Sequence, residues 1–189
     1  MNRYKPILAG VFMVVTVCSI ILYIRSPMVQ ARSMLVNTVG EDYFRSFMKL
    51  KGVQYTSFLP PKSTVVYDYH IQVGNYSTTC EVIFIFDWIN RLRHSIGVPL
   101  SDNLMPFNVS KEEAINIALE QITQRYLEVE AEIRFIKRSV NDVPLNKYVW
   151  QVVFYLTKKS ASSGSMVEVL IDLHNGEVFD VAKLAWAST

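Results

Sequence analysis

Asn108-Val-Ser-Lys-Glu-Glu-Ala114 opens, and Asp172-Leu-His-Asn-Gly-Glu-Val178 closes, the stretch whose reading decides the fold of this chain. Ser110 followed three residues later by Glu113 is a capping box: the hydroxyl accepts from a free helix-start amide and the carboxylate returns to the cap's own amide. Glu112 and Glu113 also favour the positive end of the helix dipole. Ala114, Ile117, Ala118 and Ile122 then form one face, with Ile115 and Leu119 beside it. The small alanines predict close seating of that face on a sheet.

Strands follow. Val129, Ala131, Ile133 and Phe135 alternate with Glu130, Glu132 and Arg134, which predicts one buried and one wet side. Asn141-Asp-Val-Pro144 turns the chain. Tyr148, Trp150, Val152, Phe154 and Leu156 share one face of the next strand, and Val149, Val153 and Tyr155 make its other face unusually apolar. After a loop tip at Ser160–Ser165, Val167, Val169 and Ile171 pair through His174-Asn175-Gly176 with Val178 onwards. Asn-Gly is a strong hairpin signal because both positions accept positive φ. Residues 108–189 are therefore expected to form a helix on a four-stranded antiparallel sheet, an α+β module.

Upstream, Val98–Phe107 carries prolines and is the natural boundary with a region, 32–107, that reads as α+β with a β-meander. Ser26-Pro27, Ser33 and Asn37 suit a linker over residues 25 to 40. Glu41 to Lys51 places Tyr43, Phe44, Phe47, Met48 and Leu50 at helical spacing, with Gly52 to end it. Thr64–Val73, a Gly74-Asn75 turn, Thr79–Trp88 and Leu92–Ile96 read as strands, with a kink at Asp87–Arg91.

Residues 1–31 are expected to be an anchor with its flanks. From Ile7 to Ile24 no residue is charged. As a helix the run spans about 27 Å, near the thickness of a thin bilayer core. Tyr4 and Tyr23 stand where interfacial aromatics are favoured. A cleaved signal peptide is the rival, with small residues at Val29-Gln-Ala31, but the apolar run exceeds the usual signal length and Arg25 lies between it and that site. Arg3, Lys5 and Arg25 flank both ends, so charge does not orient the segment. Asn75-Tyr-Ser77 and Asn108-Val-Ser110 are glycosylation sequons at Asn75 and Asn108, a pattern common by chance.

A net charge of +2 across 189 residues argues for no nucleic-acid partner. His70, His94 and His174 lack metal-ligand spacing, and no nucleophile elbow, phosphate loop or dinucleotide turn occurs. The expected catalytic residues, cofactor and metal are none. Cys80 reads as a small buried strand residue beside Val82 and Phe84, an intermolecular bridge being the minority reading. A thiol hydrolase built on Cys80 with His70 or His94 is the alternative from another class. Glu128, Glu130 and Glu132, beside Arg134 and Lys137, read as a solvated strand face.

The stretch from Asn108 to Trp186 resembles the PepSY family, small modules found in peptidase propeptides and in membrane-tethered proteins outside the cytoplasm. The residues that carry the resemblance are Ser110, Glu113, Ala114 and Ala118 of the helix, the Tyr148-Val-Trp150 pair, and Asp172 with Gly176 in the final hairpin. The resemblance implies a cystatin-like helix-plus-sheet fold and an exported module that binds or inhibits rather than catalyses. Its motif positions define a fold and bring no active site with them. No protease domain follows the module, so an intramolecular propeptide role is not expected. The implied protein is membrane-anchored by residues 7–24, with residues 25–189 outside the cytoplasm and a protein or peptide partner in the cell envelope.

Overall fold

In the computed structural model of the protein, the described residues are 12–19, 26–56, 61–140, 143–159 and 163–187. Among the described residues, besides the helical stretch 12–19, the helices α1 (Pro27–Val39), α2 (Glu41–Phe47) and α3 (Lys111–Leu119) accompany eight strands. The strands are β1 (Met48–Tyr55), β2 (Ser63–Val73), β3 (Tyr76–Phe86), β4 (Leu92–Ile96), β5 (Glu128–Val140), β6 (Val143–Tyr155), β7 (Ser163–Asp172) and β8 (Val178–Ala187). They form two 4-stranded sheets, ordered β1-β2-β3-β4 and β5-β6-β7-β8. The expected α+β architecture is thus present.

Residues expected to be a linker fold as α1. Ser26 caps the helix, its hydroxyl accepting from Val29 N at 3.4 Å, and Pro27 occupies the first turn. A serine before a proline starts a helix well, because the proline lacks an amide hydrogen that the first turn leaves unpaired anyway. Pro27, Ala31 and Leu35, spaced by one helical turn, are buried. Gly40 closes α1, its amide reaching Val36 O at 2.8 Å. The helix expected over Glu41–Lys51 stops at Phe47, and Met48 onward joins the sheet as β1, with Gly52 inside the strand.

Contacts divide the chain into two compact units, one of residues 1–67 and 82–96, the other of 68–81 and 97–189. In the first, Ala31, Leu35, Phe44, Met48, Val65, Tyr67, Val82, Phe84 and Phe86 are buried. Phe44 meets Tyr67 edge-on at 5.6 Å, and the Arg32 guanidinium lies 5.3 Å over the Phe44 ring while pairing with Glu41.

In the second unit α3 lies on the sheet through Ala114 and Ala118, both fully buried. Ile122 falls beyond the end of the helix and is half-buried. Tyr148, Trp150, Val152 and Phe154 from β6, with Val167, Val169 and Ile171 from β7, are buried too. The opposite side of the sheet also holds apolar weight: Leu145, Val149 and Leu170 cluster with Ile136 and Phe179. In the β5–β6 hairpin Val140 faces Val143, so Val143 and Pro144 already belong to the strand. Asn141, Asp142 and residues 160–162, expected in turns, lie outside the described residues.

The apolar run Ile7–Ile24 is only partly described. Its middle, residues 12–19, is helical, with Phe12, Met13, Val14, Val15 and Val17 exposed. Among the described residues no helix is long and apolar enough to cross a membrane. Residues 7–11 and 20–24 lie outside the description.

Candidate binding surface

The start of α3 and the β7–β8 turn are built as one structure. Ser110 Oγ accepts from Glu113 N at 3.2 Å, and Ser110 N donates to Glu113 Oε2 at 2.8 Å. Those bonds, the backbone one first, hold the Glu113 carboxyl below its ordinary range. The residues before the cap are tied to the turn: Asn108 N and Val109 N donate to Leu173 O at 3.0 and 3.1 Å, and Asn108 Nδ2 donates to His174 O at 3.3 Å. From beneath, Trp150 Nε1 donates to Val109 O at 2.8 Å.

The turn itself differs from the tight Asn-Gly hairpin expected. Gly176 alone takes positive φ, at 76°, while Asn175 does not. The loop is wider, closed by Asp172 N donating to Glu177 O at 2.8 Å and Gly176 N to Asp172 O at 3.2 Å. Asp172 Oδ1 accepts from His174 N at 2.7 Å and Asn175 N at 3.2 Å, and its Oδ2 accepts from Lys147 Nζ at 2.7 Å. Burial works against ionisation of Asp172, but the Lys147 bond and the turn amides outweigh it and hold the carboxyl below its ordinary range. Gly176 has a second reason to be glycine. A Cβ there would stand 2.8 Å from Ile117 Cδ1.

Asn108, Val109, Glu113, Ile117, His174 and Asn175 line a shallow groove of about 320 Å³ where α3 meets the turn. A second groove, of about 390 Å³, lies between the β2–β3 turn (Val73–Tyr76) and Ser110–Glu112. Asn75 is exposed at that turn, and the Lys111 ammonium sits 5.3 Å over the Tyr76 ring. Both sequon asparagines are exposed.

Tyr148 and Trp150 do more than fill the sheet face. Tyr69 meets Tyr148 at 5.2 Å and Tyr76 meets Trp150 at 4.9 Å, so the tip of the β2–β3 hairpin is packed on β6. Tyr148 Oη donates to Gly97 O at 2.7 Å. Asn103, fully buried, binds the Tyr148 backbone with both ends of its amide, accepting from Tyr148 N at 2.8 Å and donating to Tyr148 O at 3.3 Å. This side chain stands in for a strand neighbour. Sequence reading passed over it because an asparagine among prolines looks like any loop residue.

The other face of the sheet carries paired charge that the sequence reading also missed. Arg138 bridges Glu168 and Asp180, each at 2.7 Å, and Gln151 donates to Glu168, which is 4% exposed. Lys147 lies 4.6 Å over the Phe179 ring. The available signal was Glu168 standing alone between Val167 and Val169 in an apolar strand.

Cys80 shares its face with Val82 and Phe84 but is half-buried, where burial was expected. Its Sγ donates to Ile133 O at 3.8 Å, and burial, with Glu132 nearby and only partial relief from Arg134, pushes the thiol up to about 11. His70 Nδ1 bonds the Thr79 hydroxyl at 3.0 Å, and His94 is exposed on β4. Glu130 accepts from Lys159 and from Tyr155, and those two bonds hold it below the ordinary carboxylate range. Among the described residues no group of His, Cys, Asp and Glu is placed to hold a metal ion.

The helix capped by a carboxylate box, the sheet it rests on and the glycine turn locked to its start occupy one continuous segment. Residues 108–182 match the PepSY family, the peptidase propeptide and YPEB domain. The PepSY domain takes in α3, β5, β6, β7 and the first part of β8. Its description names peptidase propeptides. No curated protein and no solved structure matches the chain.

Proposed function

We propose that this is a membrane-anchored regulatory protein whose ectodomain, outside the cytoplasm, binds an extended segment of another envelope protein, a peptidase among the candidates, by strand addition to β8. The observation that carries the reading is the character of β8. It is the last strand of the PepSY sheet and pairs with β7 on one side. An edge strand offers a row of backbone donors and acceptors to an incoming chain, and its alternate side chains supply selectivity. The opposite edge, β5, is guarded by charge at Glu128, Glu130, Glu132, Arg134, Lys137 and Arg138. By contrast β8 reads Val-Phe-Asp-Val-Ala-Lys-Leu-Ala-Trp-Ala, its one acid already paired with Arg138, and Val181 is exposed.

Anchoring is supported by the uncharged run Ile7–Ile24 and by the helical, outward-facing apolar side chains at its middle. It is also supported by the place of Val29-Gln-Ala31. These residues lie in α1 with Ala31 fully buried, so cleavage after Ala31 would remove the helix start and its Ser26 cap. A binding role in preference to catalysis is supported by Cys80 and Glu130. A thiol raised to about 11 supplies little thiolate at neutral pH, and a carboxyl held low is a poor general acid.

Site-specific photo-crosslinking of the full chain in its own membranes tests the reading. A crosslinker at Lys183 on β8 is expected to give a discrete adduct, and one at Lys137 on β5 is not. Adducts from neither position, or equally from both, refute strand addition at β8. Adding the purified protein to envelope peptidases separates inhibition from binding in general. Unchanged rates at micromolar protein would leave a binding module without peptidase activity control.

A further inference from the structure

The β3–β4 loop presents its apolar tip outward beside the first turns of α1. Trp88 is 64% exposed and Ile89 41% exposed. A tryptophan and an isoleucine side by side in open solvent are costly, and the loop is too well braced to fold them away. Asp87, itself buried, accepts from Ile89 N at 3.1 Å and Arg91 N at 2.8 Å, and its other oxygen accepts from Arg93 at 2.9 Å. Asn90 takes positive φ, at 59°, and Asn90 N donates to Asp87 O at 2.9 Å. These bonds brace the turn that presents Trp88 and Ile89.

Its neighbour is the start of α1. Gln30 Nε2, in the first turns of α1, donates to Asn90 O at 3.0 Å. Ser26, which caps α1, follows Ile24, the last residue of the apolar run, by two residues, a reach of about 7 Å at most. Met28, on the first turn, is also exposed. Arg91 is exposed at the end of the loop, while the Asp87 carboxylate is paired with Arg93 at the start of β4. Indole, an aliphatic side chain and an exposed arginine suit a bilayer surface, where the upper acyl chains lie below and the headgroup phosphates above.

We infer that the Asp87–Arg91 loop is a second membrane contact, inserting Trp88 and Ile89 into the headgroup region of the bilayer that holds residues 7–24. The inference rests on the anchoring reading above. Together the anchor and the loop fix the ectodomain at two points, which restrains its swing about α1 and sets the direction in which the rest of the first unit faces.

The test uses the full chain in vesicles of phosphatidylcholine and phosphatidylglycerol, with and without brominated phosphatidylcholine, and follows tryptophan emission. Flotation after an alkaline wash reports the anchor, and quenching by the brominated chains reports the loop. The chain is expected to float and to be quenched, and Trp88→Phe is expected to float equally but to lose most of that quenching. A floating chain whose quenching is unchanged in Trp88→Phe overturns the loop contact and leaves the anchor standing. A chain that stays at the bottom of the gradient overturns both.

Discussion

Trp150 Nε1 donates to Val109 O across 2.8 Å, with Trp150 fully buried in β6 and Val109 one residue ahead of the Ser110 cap. The core thus fixes where α3 begins. The same short segment is held from the other side by Leu173 O, which accepts from both Asn108 N and Val109 N. Helix start, strand centre and hairpin turn form one hydrogen-bonded unit, and several expectations can be checked against it.

Trp150→Phe keeps the aromatic contact but strands the Val109 carbonyl without its donor. Leaving a buried acceptor unpaired costs about 1–3 kcal/mol. The thermal midpoint of the variant should fall accordingly, and an unchanged midpoint would mean that water or another donor replaces the indole.

Gly176→Ala should destabilise through two separable effects. The positive φ costs roughly 1–2 kcal/mol for a residue with a Cβ, and that Cβ meets Ile117 Cδ1 at 2.8 Å. Pairing it with Ile117→Val, which removes the obstructing methyl, should recover part of the loss but not the backbone share. Strict additivity in the double-mutant cycle would deny the contact.

Ala118 is fully buried under α3. Ala118→Leu should overpack that seat and lower stability by about 1–3 kcal/mol, whereas Ser110→Ala removes one cap and costs about 0.5–2 kcal/mol. Melting curves for the two variants compare them directly; a neutral Ala118→Leu would show that the helix rides higher than drawn.

Asp172 should make the fold sensitive to acid. Its folded carboxyl is depressed by Lys147 and the turn amides despite burial, so its contribution is complete above the ordinary carboxylate value of about 3.9 and is lost as pH falls through the lower folded value. In Asp172→Asn the amide oxygen still accepts from the turn, but the charge facing Lys147 is gone. The gap in melting temperature between wild type and variant should be steady near neutral pH and close below about pH 4. A gap that persists to the acid limit would place the effect elsewhere.

In a Cys18→Ser background Cys80 is the remaining thiol of the chain. A thiol raised to about 11 carries at neutral pH roughly 100-fold less thiolate than an ordinary cysteine, partly offset by the greater nucleophilicity of a more basic sulfur, for a net slowing of about 10-fold. Labelling kinetics in the intact protein measure this. Labelling at the rate of a free thiol would revive the nucleophile.

What the sequence determined by itself was whatever neighbouring residues decide between them. Alternation placed the buried faces of β2, β3 and β5 to β7, and the Ser110–Glu113 spacing placed the start of α3, because pleat and capping are effects within a few residues. The apolar pattern of β6 on both faces was likewise visible, and both faces are filled. Ser26-Pro27 was also a local signal, but the same pair begins a helix or a linker, and burial of Ala31 and Leu35 against the rest of their unit selects the helix. Only tertiary structure decided where α2 yields to β1, since joining the sheet outweighs the helical spacing of Met48 and Leu50. The width of the β7–β8 turn was set the same way, by Asp172 collecting two turn amides and α3 pressing Ile117 against Gly176. Asn103 on the Tyr148 backbone, Arg138 between Glu168 and Asp180, and Gln30 on Asn90 join residues far apart in the chain. Such pairs have no sequence period, because closing a long loop is what brings them together, and the packing of everything between them decides whether it closes.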